Sequence, residues 1–163
     1  MRSDALPEGG EAYSQSRMTN LAETISVSPA PEAARGLLAA ASLPTSDLTD
    51  EQLAKFFYCG SVTAPSALVG IEIHGTEALL RSLVVDPTVR SKGLGSALVE
   101  RAEAHAATHG VGTLYLLTTT AENFFARRGY HRVDRTLAPA AIRSTREFAG
   151  LCPASSAFMC KRL

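Results

Sequence analysis

One run of the sequence, residues 84–96, constrains the fold more strongly than any other feature. It joins an apolar, strand-like stretch to the turn residues Asp86 and Pro87, and then to two glycines, Gly93 and Gly95, that open a helical pattern. The first backbone N–H groups of a helix have no intrahelical partner and carry a partial positive charge, which stabilises an anion. Glycine has no Cβ and lets a ligand approach the backbone closely. The run therefore predicts a strand, a turn and a helix that together bind phosphate groups.

Two common nucleotide-binding loops do not fit this run. A Walker loop requires Lys-Ser or Lys-Thr directly after its last glycine, whereas Gly95 is followed by Ser96 and Ala97. A dinucleotide-binding loop requires three glycines early in a βαβ unit, whereas this run follows a predicted hairpin in the middle of the chain. Arg90 and Lys92 supply local positive charge suited to a diphosphate. A loop that precedes a helix and binds no ligand is the alternative interpretation.

The remaining sequence alternates strand-like and helix-like segments. Short or alternating apolar runs predict strands, and apolar residues three or four positions apart predict helices. In chain order we expect strands over residues 24–27, 67–73, 78–85, 113–119, 130–133 and 156–160, and helices over residues 31–41, 49–60, 95–109, 121–128 and 139–148. These elements predict a mixed α/β domain without internal repeats.

Chain length and the composition of the N-terminal segment predict a single domain. A chain of 163 residues can bury one substantial core and leaves little room for a second. Residues 1–22 are rich in Ser, Glu and Gly and lack apolar periodicity, so we expect a disordered or tag-like segment there, with Met18 as a candidate internal start. The domain should occupy residues 23–163.

Charge and hydropathy restrict the partners and the location of the protein. Equal numbers of acidic and basic residues give a formal net charge of zero, which offers no broad electrostatic field for nucleic acid or an anionic membrane. No apolar stretch reaches the roughly 20 residues that span a bilayer, so we expect a cytoplasmic protein. The three cysteines show no paired spacing typical of a zinc site, and His105 and His109, four residues apart on a predicted helix, have no third ligand, so we expect no metal.

The glycine run also carries a family resemblance. Residues 90–95, Arg-Ser-Lys-Gly-Leu-Gly, match the Arg/Gln-x-x-Gly-x-Gly/Ala signature of the GNAT superfamily of N-acetyltransferases. Residues 83–87 resemble the fourth strand and turn of that family, and residues 123–130 resemble its short helix and following strand. The resemblance extends over about residues 24–163. It implies an α/β (α+β) fold with a mixed, mostly antiparallel central sheet and helices on both faces.

The resemblance implies that acetyl-CoA is the acyl donor. Leu83 and Val85 would pair their backbone groups with the pantetheine arm between splayed fourth and fifth strands, and residues 90–96 would surround the pyrophosphate. The residues expected to contact the coenzyme are Leu83, Val84, Val85, Arg90, Ser91, Lys92, Gly93, Leu94, Gly95, Ser96, Asn123 and Phe125.

A narrower likeness concerns the acceptor. Residues 117–122 and 142–153 resemble N-acetyltransferases found among arsenic-resistance proteins, some of which acetylate amino acids of the phosphinothricin or arsinothricin type. This likeness implies a small-molecule primary amine as substrate and leaves a homodimer open. A peptide or protein N-acetyltransferase and a sensor that binds acetyl-CoA without catalysis are the alternatives.

Four residues are candidates for the acceptor site. Glu72 interrupts an apolar strand and is the candidate general base, because attack on the thioester requires a neutral amine; the alternative is a polar residue on the solvent face of the strand. Arg81 is either a solvated side chain or an anchor for a substrate carboxylate. Phe57, on the predicted second helix, is a candidate apolar wall. On the last helix, Arg143, Arg146 and Glu147 either line the pocket or form a surface charge cluster, and we favour the surface cluster.

The proton donor for the leaving thiolate is less well defined. Many GNAT proteins have a tyrosine four residues before the glycine of the Gly-Phe or Gly-Tyr pair, and Phe125 occupies that position here. Phenylalanine cannot donate a proton. Tyr115 or a water molecule would have to serve, or the thiolate would leave unprotonated.

Overall fold

The computed structural model describes residues 24–163, which share one sheet with the strand order β1-β2-β3-β4-β5-β7-β6. The predicted segment 1–22 lies outside the described residues. Only β4 and β5 are parallel among the neighbouring strands of this part of the chain, which confirms the prediction of a mixed, mostly antiparallel sheet. The strands are β1 (Ser26–Val27), β2 (Phe57–Ser61), β3 (Ala64–His74), β4 (Glu77–Val85), β5 (Thr113–Thr118), β6 (His131–Arg132) and β7 (Ala157–Arg162).

The helices begin at the signals expected from the sequence. Pro31 occupies the first turn of its helix, where a missing N–H costs nothing, and Thr49 forms a capping box with Gln52. Short 3₁₀ turns cover Pro87–Val89 and Arg135–Leu137, and a π-helical turn covers Glu147–Leu151. The α-helices are α1 (Pro31–Ala40), α2 (Asp50–Leu53), α3 (Leu94–Thr108), α4 (Glu122–Ala126) and α5 (Ala140–Arg143).

Helices cover both faces of the sheet, as predicted. Alternate residues of β4 point to opposite faces, so that Ala78 and Leu80 pack with α3 and α4 while Leu79 packs with α5. A third cluster joins α1 to Leu68 of β3 and Val84 of β4. The sheet therefore forms the middle layer between two apolar cores.

A β-bulge interrupts β4 in its second half. Gly70 pairs with Arg81 and Leu68 pairs with Val84, so one residue of β3 lies opposite both Ser82 and Leu83. Ser82 has φ +59°, a left-handed conformation that is uncommon for a residue with a Cβ. The extra residue reverses which face the following side chains occupy. It also re-aims the backbone of the strand end that leads to the glycine run.

Strands β4 and β5 separate soon after they meet. Within the described chain their pairing runs from Glu77–Thr113 to Leu79–Tyr115, whereas β4 continues to Val85 and β5 to Thr118. The facing edges beyond this point have no partner strand in the described residues. A cleft opens between them.

Two predicted helices were wrong in extent. The helix over residues 49–60 ends at Leu53, and Phe57 begins strand β2, because the aromatic residues at 56–58 bury side chains in both cores and so follow a strand period. The ring of Phe56 fills the space above Gly70, where a Cβ would lie 2.4 Å from a ring carbon. The helix over residues 139–148 ends at Arg143, and a π-helical turn replaces its remainder.

Candidate active site

The glycine run forms the predicted turn before a helix. Ser91 has φ +68° and Gly93 has φ +78°, and Gly93 is the N-cap of the fifteen-residue helix α3. Ala97 donates its N–H to the carbonyl of Gly93, so the N–H groups before it have no intrahelical partner. The positive φ favours glycine at position 93, although a Cβ there would meet no atom within 4 Å. This open space lies at the positive end of the helix dipole and can accept an anion.

Two arginines lie at this turn. Arg90 donates from Nε to the carbonyl oxygen of Val85 at 3.2 Å. Arg128 donates to Ser96 Oγ in the first turn of α3 and stacks 3.6 Å above the ring of Phe124. Arg128 was absent from the sequence-based candidates. In the sequence, only its place in a pair of basic residues before Gly129 pointed to an anion-binding role. Its contact with Ser96 joins distant parts of the chain and could not be inferred from neighbouring residues.

The remaining predicted coenzyme contacts surround the turn and the cleft. Leu94 is buried against the core, so its backbone rather than its side chain faces the turn. Lys92 is exposed at the turn, and Asn123 is exposed at the start of α4. Phe125 is buried and lines the cleft. The contacts that these residues make with a coenzyme stay predictions.

The cleft between β4 and β5 has a volume of about 370 Å³. Backbone and side chains of residues 80–83 form one wall, and the end of β5 with the threonines at 118–120 forms another. The π-helical turn and the segment after it close the third side. The polar or ionisable side chains on the cleft wall include Ser42, Arg81, Ser82, Thr118, Thr119, Thr120, Glu147, Cys152 and Ser156.

Arg81 is the centre of a buried ion cluster. Its guanidinium group contacts both carboxylate oxygens of Asp47, lies 2.9 Å from Oε1 of Glu72 and 3.3 Å from Oε1 of Glu147, and donates from Nε to Ser82 Oγ at 3.1 Å. Four of its five N–H groups donate hydrogen bonds to Asp47, Glu72 and Ser82, and the side chain is 1% exposed. One cation faces three carboxylates. The cluster carries excess negative charge when all three are ionised.

Glu147 holds its proton more tightly than an ordinary carboxyl group. Burial raises the pKa of Glu147 to about 7, the Arg81 guanidinium opposes this shift, and the nearby Glu72 and Asp47 carboxylates add to it. Asp47 binds Arg81 with two oxygens and Glu72 binds it with one, whereas Glu147 makes only the longer 3.3 Å contact. The group is therefore divided between its two protonation states near neutral pH.

Two further side chains on the cleft wall bear on its chemistry. Ser156 Oγ is buried and has no hydrogen-bond partner within the described residues, which is unusual for a native structure and leaves the hydroxyl able to bond to a ligand or a water molecule in the cleft. Burial, with a smaller effect of Glu147, raises the pKa of Cys152 to about 11. The Cys152 thiol therefore stays protonated at neutral pH and is a poor nucleophile.

Three of the four predicted acceptor-site residues make contacts within the protein, and their roles toward a substrate stay predictions. Arg81 is buried rather than solvated and lines the cleft, where four of its five N–H groups donate to Asp47, Glu72 and Ser82. Phe57 lies on β2 with its ring 5.3 Å from that of His105, on the wall of a separate cavity of about 630 Å³. Arg143 donates to the carbonyl oxygens of Ala138 and Thr136 and does not line the cleft.

The fourth candidate, Glu72, lies beside the cleft without lining it. Its carboxylate contacts Arg81 and lies 3.5 Å from Nε2 of His74, and it faces the separate cavity that Phe57 also lines. Glu147, assigned to the surface as the favoured interpretation, is instead 4% exposed and lines the cleft. Tyr115 stacks on Phe158 at 5.4 Å, where β4 and β5 are still paired, and is a partly buried side chain packed against the apolar core.

Neither a metal site nor a membrane span is found in residues 24–163. No group of three or more His, Cys, Asp or Glu side chains in this range could hold a metal ion. No helix in the same range is both long and apolar enough to cross a bilayer.

Sequence comparison places the chain in a known family. A sequence profile described as the Acetyltransferase (GNAT) family matches residues 45–134, more than half of the chain. The chain belongs to the GNAT acetyltransferase family. Its matched region runs from the segment before α2 to the end of β6 and includes the glycine run and both edges of the cleft.

Individual relatives extend the comparison. An uncharacterized N-acetyltransferase of Chlorobaculum tepidum is 35% identical over 95 residues, which are 56% of this chain and 59% of the relative. An amino-acid acetyltransferase of Pseudomonas fluorescens is 32% identical over 118 residues, 72% of this chain and 27% of the relative. The chain thus spans less than two thirds of the length of these GNAT relatives.

The fold is also that of a solved structure. N-acetylglutamate synthase from Neisseria gonorrhoeae, complexed with coenzyme A and N-acetyl-glutamate, superimposes with a TM-score of 0.70 at 18% identity. The match covers 85% of this chain and 34% of that protein. At this identity the likeness establishes the fold.

Proposed function

We propose that this protein is an acetyl-CoA-dependent N-acetyltransferase that acetylates the primary amine of a small molecule. One observation carries the proposal: within the described residues the unpaired edges of β4 and β5 enclose a polar cleft, and α4 links this cleft to the start of α3. Phe125 of α4 lines the cleft, and the ring of the neighbouring Phe124 lies 3.4 Å from where a Cβ on Gly95 would be. Membership of the GNAT family and the coenzyme A bound by the gonococcal structural neighbour support it.

The donor would bind along the edge of β4. Backbone groups of Leu83 and Val85 would pair with the amides of the pantetheine arm, and residues 90–96 with the α3 N-terminus would hold the pyrophosphate. Arg128 would support this site by fixing Ser96. Asn123 and Phe125 would flank the arm from α4. A backbone N–H near Val84 would stabilise the oxyanion of the tetrahedral intermediate.

Transfer would be direct, without an acetylated enzyme. Among the described residues lining the cleft, Cys152 is the only thiol, and its raised pKa keeps it protonated. A bound amine would therefore attack the thioester itself. Phe125 cannot donate a proton to the leaving thiolate as a tyrosine would. The second of the two protons that the amine nitrogen loses during acetylation can protonate the thiolate instead.

The acceptor would be of amino-acid size. A cleft of about 370 Å³ lies at the small end of ligand sites, and relatives named amino-acid acetyltransferases point in the same direction. Phosphinothricin and arsinothricin are the first candidates, by the resemblance of residues 117–122 and 142–153 to arsenic-resistance N-acetyltransferases. A cytoplasmic location and a homodimer stay predictions.

A thiol-release assay tests the proposal. The purified protein with acetyl-CoA should release coenzyme A with at least one member of a panel of amino acids, phosphinothricin, arsinothricin, aminoglycosides and amine-bearing peptides. Release with peptides alone would favour a peptide N-acetyltransferase. Calorimetric binding of acetyl-CoA without release would favour a sensor, and absence of binding would refute the proposal.

A further inference from the structure

The ion cluster around Arg81 contains one more carboxylate than the guanidinium group needs. Asp47 and Glu72 together take three of its N–H groups, at hydrogen-bond distances, and Ser82 takes a fourth. Glu147 makes a 3.3 Å ion pair with Nη2 and, among the described residues, no side-chain hydrogen bond. Its carboxylate is the least tightly held of the three. It is therefore the one whose protonation disturbs the cluster least.

Glu147 is also the carboxylate that faces the cleft. It is the first residue of the π-helical turn Glu147–Leu151, and it lines the cleft together with Leu151 and Cys152. Asp47 does not line the cleft, and Glu72 faces the separate cavity at the edge of β3. The hydroxyl of Ser156, which has no hydrogen-bond partner within the described residues, also lines the cleft and can bond to a ligand or a water molecule there.

We propose that Glu147 accepts the proton of the acceptor amine, a catalytic role that rests on the acetyltransferase activity proposed above. The ammonium group transfers one proton to the Glu147 carboxylate. The freed nitrogen lone pair forms the C–N bond with the thioester carbonyl carbon, and the electron pair of the C–S bond leaves with sulfur. The second proton from nitrogen passes to the thiolate. The products are the amide, the coenzyme A thiol and protonated Glu147, which returns its proton to solvent.

The surroundings of Glu147 match the requirements of a general base at neutral pH. Burial raises its pKa to about 7, so near that pH it is partly ionised and still binds a proton strongly. The charged or titratable groups that act on it or face it are Arg81 of β4, Glu72 of β3, Asp47 before α2, and Cys152 at the end of its own turn. Glu72 and Asp47 thus act as positioning residues, since they hold Arg81 and raise the pKa of Glu147.

The pH dependence of kcat/KM for coenzyme A release, measured from about pH 5.5 to about pH 9, separates Glu147 from Glu72. Wild-type kcat/KM should rise with increasing pH through about pH 7, and this rise is the acid limb of the pH profile. Glu147→Gln should lose about 10²–10⁴-fold in rate and lack this limb, with unchanged acetyl-CoA affinity. Glu72→Gln should keep most of the rate and shift the limb to lower pH, because one repulsive charge is removed. Glu103→Gln, which breaks a pair with Lys161 away from the cleft, is the matched control and should keep the limb.

Each outcome decides between the two proposals. Wild-type-like rate and pH profile in Glu147→Gln would overturn the role of Glu147 and leave the acetyltransferase activity standing. Loss of the limb in Glu72→Gln with its retention in Glu147→Gln would assign the base to Glu72. Absence of coenzyme A release by the wild type with every panel member would refute the proposed function, and with it the role of Glu147.

Discussion

The raised pKa of Glu147 predicts a pH-dependent loss of stability that can be measured without any substrate. A carboxyl group that binds its proton more tightly in the folded than in the unfolded state stabilises the fold at acidic pH. This stabilisation declines as pH rises from the ordinary value of 4.5 to the folded value of about 7. Above about pH 7 the fold has to hold an extra buried negative charge.

The expected size follows from the two pKa values. Their difference corresponds to roughly 2 to 3 kcal/mol of unfolding free energy lost between about pH 5 and about pH 8. In Glu147→Gln the neutral amide has no proton to lose, and this loss should disappear. The Arg81 guanidinium keeps Asp47 and Glu72 in the variant, so the fold should survive.

Urea unfolding at these two pH values, for the wild type and Glu147→Gln, measures the difference. Glu100→Gln, at an exposed position on α3, is the control and should follow the wild type. The wild type should lose more stability than Glu147→Gln as pH rises. Parallel losses in the two proteins would refute the inference that Glu147 holds a proton near neutral pH.

Three other predictions concern the coenzyme site and the core. Gly93→Ala should cost about 1–2 kcal/mol of stability, through the left-handed backbone, and weaken acetyl-CoA binding in calorimetry, whereas Gly36→Ala, with open space inside α1, should gain about 0.5–1 kcal/mol. Arg128→Leu should weaken acetyl-CoA binding several-fold, while Arg132→Leu, which removes an exposed ion pair, should not; equal affinities would contradict the role of Arg128. Gly70→Ala should lose about 1–3 kcal/mol in thermal unfolding, because its Cβ would overlap a phenylalanine ring; an unchanged melting temperature would contradict this packing.

Local sequence patterns predicted the parts of the fold that local interactions determine. The hairpin of β3 and β4, the glycine run and the start of α3 each follow from residues adjacent in sequence, such as the turn between His74 and Glu77. The helical spacing of apolar residues at 49–60 gave a wrong prediction for the second half of that segment. The capping box of Thr49 does start a helix there, but burial of aromatic side chains on two opposite faces converts its expected second half into β2.

The cleft depended on contacts between distant parts of the chain, which no local pattern reports. Arg81 collects carboxylates from the segment before α2, from β3 and from the π-helical turn, so its burial could not be inferred from its own neighbours. Glu147 looked like a surface residue because charged residues surround it in the sequence. A buried arginine requires carboxylate partners, and that requirement would have been the only indication.

The short pairing between β4 and β5 allows the width of the cleft between them to be adjusted. In the described chain only three residue pairs join β4 to β5. Beyond them, Leu80–Val85 of β4 continues for roughly 20 Å without pairing to β5. A rotation of β4 by about 5° about these pairs would move the end of this segment by about 2 Å. Substitutions beside Ala78 or Leu114, which do not line the cleft, would therefore change its width. Under the proposed function, such repacking beside these pairs would change which acceptor is admitted without altering any residue of the cleft wall.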